Sequence, residues 1–304
     1  MKMLLVLLAA IIGISMAAPL VRLSHATPLV IATWRLFFSV VVIAAILVPR
    51  RGWTQWKRLD RRGVALALGA GVMLALHFWS WTASVDMTSI AASVVLVNIQ
   101  PVIVALISVV WLREAPTGRQ WLGIALAMAG ACIVAWGDAR FAMSAQGTRA
   151  LLGDALALGG GVAAALYYLV GRRLRGTLDL WPYVALVYGA CFIVLLGICV
   201  VTRAPVLPQP RRELAIFVAL AAGPMLLGHT GLNWALKYLP AYVVNVTALG
   251  EPVGATLIAA LVPSIREVPS AFTLVGGTCV LGGVVLAVAR TAIVPKQTAV
   301  RDAA

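Results

Sequence analysis

The feature that most constrains this chain is a recurrence of apolar runs, each long enough to cross a bilayer and separated by short polar breaks. A helix rising 1.5 Å per residue needs about 20 apolar residues to span a ~30 Å hydrocarbon core. Runs of that kind fall at 3–21, 28–48, 63–84, 89–111, 119–137, 150–171, 181–201, 213–236, 241–262 and 269–289. The reading is an all-α integral membrane protein with ten transmembrane helices. Composition agrees: 62% of the residues are hydrophobic and 11% charged, with a mean hydropathy of +1.00. A soluble domain solvates its surface with about 25% charged residues. The main polar breaks are 50–62 and 138–149. The apolar start ends in Ser15-Met16-Ala17, which looks like a signal-peptidase site, but the run continues through Pro19 to Val21. An uncleaved first helix is expected.

The net charge of +14 suggests nucleic acid at first sight. The lysines and arginines instead occupy short loops between apolar runs, as the positive-inside rule requires. The side holding the N-terminus, loop 50–62 and the C-terminal tail 291–304 carries more than twice as many of them as the other. That places both termini in the cytoplasm of a bacterial inner membrane, with Arg203, Arg211 and Arg212 as exceptions. Cys132, Cys191, Cys199 and Cys279 lie inside apolar runs and read as small buried hydrophobes, not as metal ligands or disulfides. No metal site and no cofactor are expected. The expected partners are the lipid bilayer and a small-molecule substrate, not nucleic acid; the sequence does not set the oligomeric state, and a monomer is compatible with it.

The chain also repeats itself. Glu114, Gly123 and Gly130 have the spacing of Glu267, Gly276 and Gly283. Pro101 pairs with Pro252, and Met73 with His77 pairs with Met225 and His229, all at an offset of roughly 150 residues. The halves are 1–140 and 150–290, with five spans each. Five is odd, so the second half enters the membrane upside down. Inverted-topology repeats place a substrate site between the halves and alternate its access.

Arg113-Glu114 after span 4 and Arg266-Glu267 after span 9, each followed by Gly123 or Gly276, resemble the drug/metabolite transporter superfamily. More narrowly, the chain is similar to EamA-type ten-helix transporters. Glu251-Pro252 and Arg35 also match places where those proteins often carry Glu-Pro and Arg. The resemblance implies export of amino acids or other metabolites, as by YddG-type exporters; related members carry nucleotide sugars or triose phosphates. One departure is visible. Many relatives carry a Trp in span 1 and often in span 6, where this chain reads Gly13-Ile14-Ser15-Met16 and Gly161-Val162-Ala163-Ala164.

Polar groups at membrane depth are costly and need a partner or a cavity. Glu251 reads as the one carboxylate near mid-membrane, either a proton- or amine-binding group or a structural carboxyl. Pro101 and Pro252 each break a helix and free carbonyls at depth, pointing to spans 4 and 9 as cavity walls. His77 shares a helical face with Met73 and Trp81, and His229 with Met225 and Asn233. Inversion would put the two histidines on opposite sides of the midplane. Asn98 and Gln100 either bind a substrate carboxylate or amine or hold helices together. Arg35 lies roughly 10 Å deep. It either snorkels or binds a substrate carboxylate or anionic lipid. Trp79, Trp81 and Trp234 are the deep tryptophans. Gly159-Gly160-Gly161, Gly276-Gly277 and Gly282-Gly283 read as close-packing positions, not phosphate loops.

The candidate substrate-binding set is therefore Met73, His77, Trp81, Asn98, Gln100, His229, Asn233 and Glu251, with Glu251 also the candidate proton-coupling group. No Walker motif, His-box, paired deep aspartates or Ser/His/Asp set is present. The leading reading is a secondary transporter, not an enzyme, exporting amino acids. Efflux of cationic drugs and exchange of phosphorylated or nucleotide sugars are alternatives. A membrane-embedded enzyme or a channel is a remote one.

Overall fold

The computed structural model describes residues 2–87, 93, 96–142, 147–261 and 271–288. Glu267 and Arg266 lie outside the described residues, so the second copy of the Arg-Glu motif does too. The described residues are helical throughout apart from turns and loops. In chain order the helices are α1 (Lys2–Leu23), α2 (Pro28–Leu47), α3 (Arg61–Met87), α4 (Gln100–Leu112), α5 (Gly118–Ala142) and α6 (Gly147–Leu174). They continue as α7 (Leu180–Thr202), α8 (Arg211–Ala235), α9 in two pieces (Ala241–Ala248 and Gly250–Leu261) and α10 (Ala271–Val288).

Six of these, α1, α2, α3, the 151–174 part of α6, α7 and α8, are long and apolar enough to cross a membrane. Large apolar side chains cover the outside, and the mostly apolar interior also encloses a set of polar groups. Leu4, Leu5, Leu8, Ile12, Val200, Val201, Leu274 and Val285 face outward. In water such surfaces would be interaction patches; here they form a lipid-facing coat. Arg35, Tyr167, Tyr183, Tyr188 and Asn233 are fully buried instead. Buried Cys191 and Cys199 fit the reading of cysteines as small hydrophobes, whereas Cys132 is exposed on the outer surface.

Breaks in the helices follow from proline and from unsatisfied backbone. In α4 the chain leaves the helix at 98–99 and restarts with Pro101 in the first turn. In α9 it breaks at Leu249 and restarts with Pro252 in the first turn. A first-turn proline lacks only an N–H that would have no partner there anyway. The prolines therefore open new helical segments and do not kink continuous ones. In α8 the stretch Ala221–His229, which contains Pro224, is π-helical.

The packing pairs exchange when each helix is swapped for the one five places away. Helix α3 packs on α6 as α8 packs on α1, α3 packs on α7 as α8 packs on α2, and α4 packs on α6 as α9 packs on α1. The pairs α2–α7, α4–α9 and α5–α10 map onto themselves. Arg51 after α2 and Arg203 after α7 both adopt the left-handed conformation, at φ 47° and 54°. The seam between α5 and α10 is made by the repeated glycines themselves. An ideal Cβ on Gly123 would lie 2.7 Å from the Gly283 carbonyl oxygen, and one on Gly130 2.5 Å from that of Gly276. The lower-numbered glycine of one helix meets the higher-numbered one of the other, so α5 and α10 run antiparallel.

Candidate functional site

A cavity opens where the exchanging helices meet. It is lined by Ile14 and Ala17 of α1, Arg35 of α2, His77, Phe78 and Trp81 of α3, and Val97, Asn98 and Gln100 around the α4 break. Tyr168 of α6, Pro224, His229 and Leu232 of α8, and Ala248 and Glu251 around the α9 break complete it. Each break thus delivers polar groups to the cavity wall, the setting in which irregular backbone is tolerated at membrane depth.

Six of the eight expected residues, His77, Trp81, Asn98, Gln100, His229 and Glu251, are brought together there. Two are not. Met73 packs against the apolar core. Asn233 lies behind the cavity, its side-chain amide donating to the Tyr167 hydroxyl and, at 2.7 Å, to the His229 carbonyl. It shares the face of His229, but the aromatic side chains of α6 and α7 cover it. Of the deep tryptophans only Trp81 reaches the cavity. Trp79 is 38% exposed on the outer surface, and Trp234 packs on Tyr238 with ring centroids 4.8 Å apart.

The two histidines meet in the cavity. Their rings lie 6.3 Å apart, with Phe78 5.1 Å from His77 and 5.2 Å from His229. Residues related by a two-fold exchange and close to its axis stay neighbours, however the halves are inverted. His77 Nδ1 lies 3.0 Å from the Gly160 carbonyl. A carbonyl only accepts, so Nδ1 carries the proton and Nε2 is left as the acceptor of the neutral ring. His229 Nδ1 lies 3.2 Å from the Tyr168 hydroxyl.

Arg35 does not snorkel. It is 1% exposed, its guanidinium sits 4.0 Å over the Phe78 ring, and its Nε has no hydrogen-bond partner among the described residues. The Trp81 indole N–H is also buried without a partner there. Among the described residues, Glu251 is the carboxylate that lines the cavity. The ion pairs formed among the described residues lie elsewhere, Arg172–Glu114 at 2.6 Å, Arg212–Glu213 at 3.3 Å and Lys237–Asp179 at 2.9 Å. A second buried cation escaped the sequence reading. Arg175 is 2% exposed and donates to the carbonyls of Asn233, at 3.0 Å, and Leu178, at 2.6 Å. It satisfies one carbonyl near the end of α8 and one in the α6–α7 loop, and it is not among the residues lining the cavity.

The sequence reading confined the cavity to spans 3, 4, 8 and 9. The structure adds Ile14, Ala17, Arg35 and Tyr168. The first two carry no polar signal, and Tyr168 is one of two adjacent tyrosines that sequence alone does not separate. No cluster that could hold a metal ion occurs among the described residues.

The family model described as the EamA-like transporter family matches residues 1–136 and again 151–289. A solved crystal structure is similar to this chain at 17% identity and a TM-score of 0.77, covering 94% of this chain and 96% of the other. That likeness shows a shared fold. No curated protein matches the chain.

Proposed function

The chain belongs to the EamA-like transporter family, a family of membrane transporters, and from that premise we propose that it is a secondary carrier exporting small metabolites, amino acids first among them. In this reading the chain crosses the bacterial inner membrane ten times, with both termini cytoplasmic. Its halves, 1–140 and 150–290, are inverted repeats that expose the cavity to each side in turn. The observation that carries it is the placement of the cavity on the seam between two sets of helices whose packing exchanges. Two arrangements of such a body have the same contacts with the roles of the halves swapped, which is the geometric basis of alternating access. The antiparallel α5–α10 seam supports the inversion, because corresponding helices of inverted halves must run in opposite directions.

Amino acids suit the cavity better than the alternatives. A phosphorylated sugar brings a dianion to a cavity where, among the described residues, the one lining arginine is Arg35. A cationic drug would meet Glu251 but also the buried guanidinium of Arg35. The test is counterflow in proteoliposomes. Saturable exchange of a radiolabelled neutral amino acid against internal unlabelled amino acid is the expected result. Non-saturable leak would point to a channel and refute the carrier, and saturable uptake of sugar phosphates in place of amino acids would overturn the cargo.

A further inference from the structure

Two features of the cavity are not accounted for by packing. Among the described residues Arg35 is a buried cation with no carboxylate at ion-pair distance and no partner for its Nε, and Trp81 is a buried indole with no acceptor. Burying a cation at membrane depth is expensive unless a counter-charge meets it. The Phe78 ring face, 4.0 Å from the guanidinium, offsets part of that cost. It leaves the hydrogen-bond donors of the guanidinium for another group. The unmet groups at Arg35 and Trp81 are both donors. Glu251 offers acceptors on the same cavity wall, and so does the Nε2 atom of His77 when the ring is neutral.

We infer that Arg35 is the carboxylate-binding residue of this cavity, with the Trp81 N–H as a second donor, and that the cargo is a zwitterion whose positive end faces Glu251. This assignment rests on the carrier reading above and deepens it. A zwitterion is the cargo whose two charges match the two charges of the wall. A simple cation leaves Arg35 unpaired in a drier cavity, and a dianion adds like charge opposite Glu251. Arg35 is suited to the task because its planar fork engages both oxygens of a carboxylate at once. A lysine in its place keeps the charge and loses the fork.

The test compares each common amino acid with its own amide and its decarboxylated amine, by thermal shift of the purified full-length protein. At least one amino acid should stabilise the protein, while its amide and amine bind roughly 10- to 100-fold more weakly, the ratio expected for loss of a charge-assisted bidentate contact. Arg35→Lys should narrow that ratio, with Arg35→Gln narrowing it further. If neither variant folds, the acid-to-amide ratio of the unmodified protein decides alone. An amide or amine that binds as well as its parent acid overturns the assignment, as does the lack of stabilisation by any amino acid. Counterflow of the best binder separates this from the carrier reading. An amine that binds and exchanges refutes the role of Arg35 and leaves the carrier intact. An acid that binds in an Arg35-dependent way but never exchanges supports Arg35 and refutes the carrier.

Discussion

The glycine seam makes a sharp quantitative prediction. A methyl group added to Gly123 would lie 2.7 Å from the Gly283 oxygen, 2.8 Å from the Ala287 nitrogen and 2.9 Å from the Ala287 Cβ. Two of these atoms are backbone and none lies at the end of a flexible side chain, so no rotamer change relieves the clash. The helices must part by roughly 0.7 Å to reach ordinary contact, and overpacking of this kind costs about 1–3 kcal/mol. Lipid tails supply no hydrophobic drive to hold two helices together, so close backbone approach is itself a main source of their association. Gly159 in α6 is the internal control, because nothing lies within 4 Å of the same added methyl. Gly159→Ala should raise stability by up to about 1 kcal/mol through helix propensity. Gly123→Ala carries the same propensity gain and the clash as well, so the two variants should differ by about 1–3 kcal/mol. Thermal unfolding in one detergent, with both variants at equal lipid content, reads the difference. Equal stability of Gly123→Ala and Gly159→Ala would refute the seam.

Three more outcomes follow from named contacts. Glu251→Gln should remove the pH dependence of transport while leaving expression intact; a profile unchanged from that of the unmodified protein would sink the proton-coupling role. Trp81→Ala should change substrate preference in competition assays, whereas mere loss of folded protein would make Trp81 a packing residue. At the loop before α7, hydrogen bonds from Lys237 at 2.9 Å and Gln55 at 2.9 Å hold the Asp179 carboxyl below its usual range. A lowered carboxyl stabilises the fold above its unfolded pKa and loses that contribution as pH falls through the folded one. Asp179→Asn should therefore lower the melting temperature slightly at neutral pH and converge with the unmodified protein at acid pH, flattening the acid limb, and the effect is small because the group is more than half exposed; an unaltered acid limb would refute it.

Much of the architecture was legible in the sequence because lipid imposes simple demands. Apolar length marks a span, and a repeat of Glu, Gly and Pro at matched spacing marks two related halves. Gly276 and Gly283 were readable as close-packing positions, and Gly123 and Gly130 as marks of the repeat, but only the structure shows that they meet one another. Neighbouring glycines were not separable by sequence: Gly160 and Gly283 sit in tight contacts, whereas Gly159 is open and Gly282 makes an ordinary one. Within the site, helical phase carried His77 and Trp81 to the cavity. It failed for Met73 and Asn233, because a face two residues share is wide enough for one to meet the cavity and the other its aromatic surround. Arg35 was misjudged as a possible snorkeller because depth along a helix says nothing about which neighbours wall the side chain off. The close approach of the two histidines was not legible, because spacing along each helix does not say which residues of two distant helices meet.

The central claim, a cavity reached from each side of the membrane in turn, is tested most directly by two-sided cysteine labelling. Cys132, Cys191, Cys199 and Cys279 would be replaced and one cysteine placed at Asn98, on the cavity wall. The protein would then be reconstituted in one orientation and exposed to a membrane-impermeant maleimide from either face. The account predicts labelling from both faces, with a bound amino acid altering the two rates. Labelling confined to one face under every condition, with or without amino acid, would contradict it.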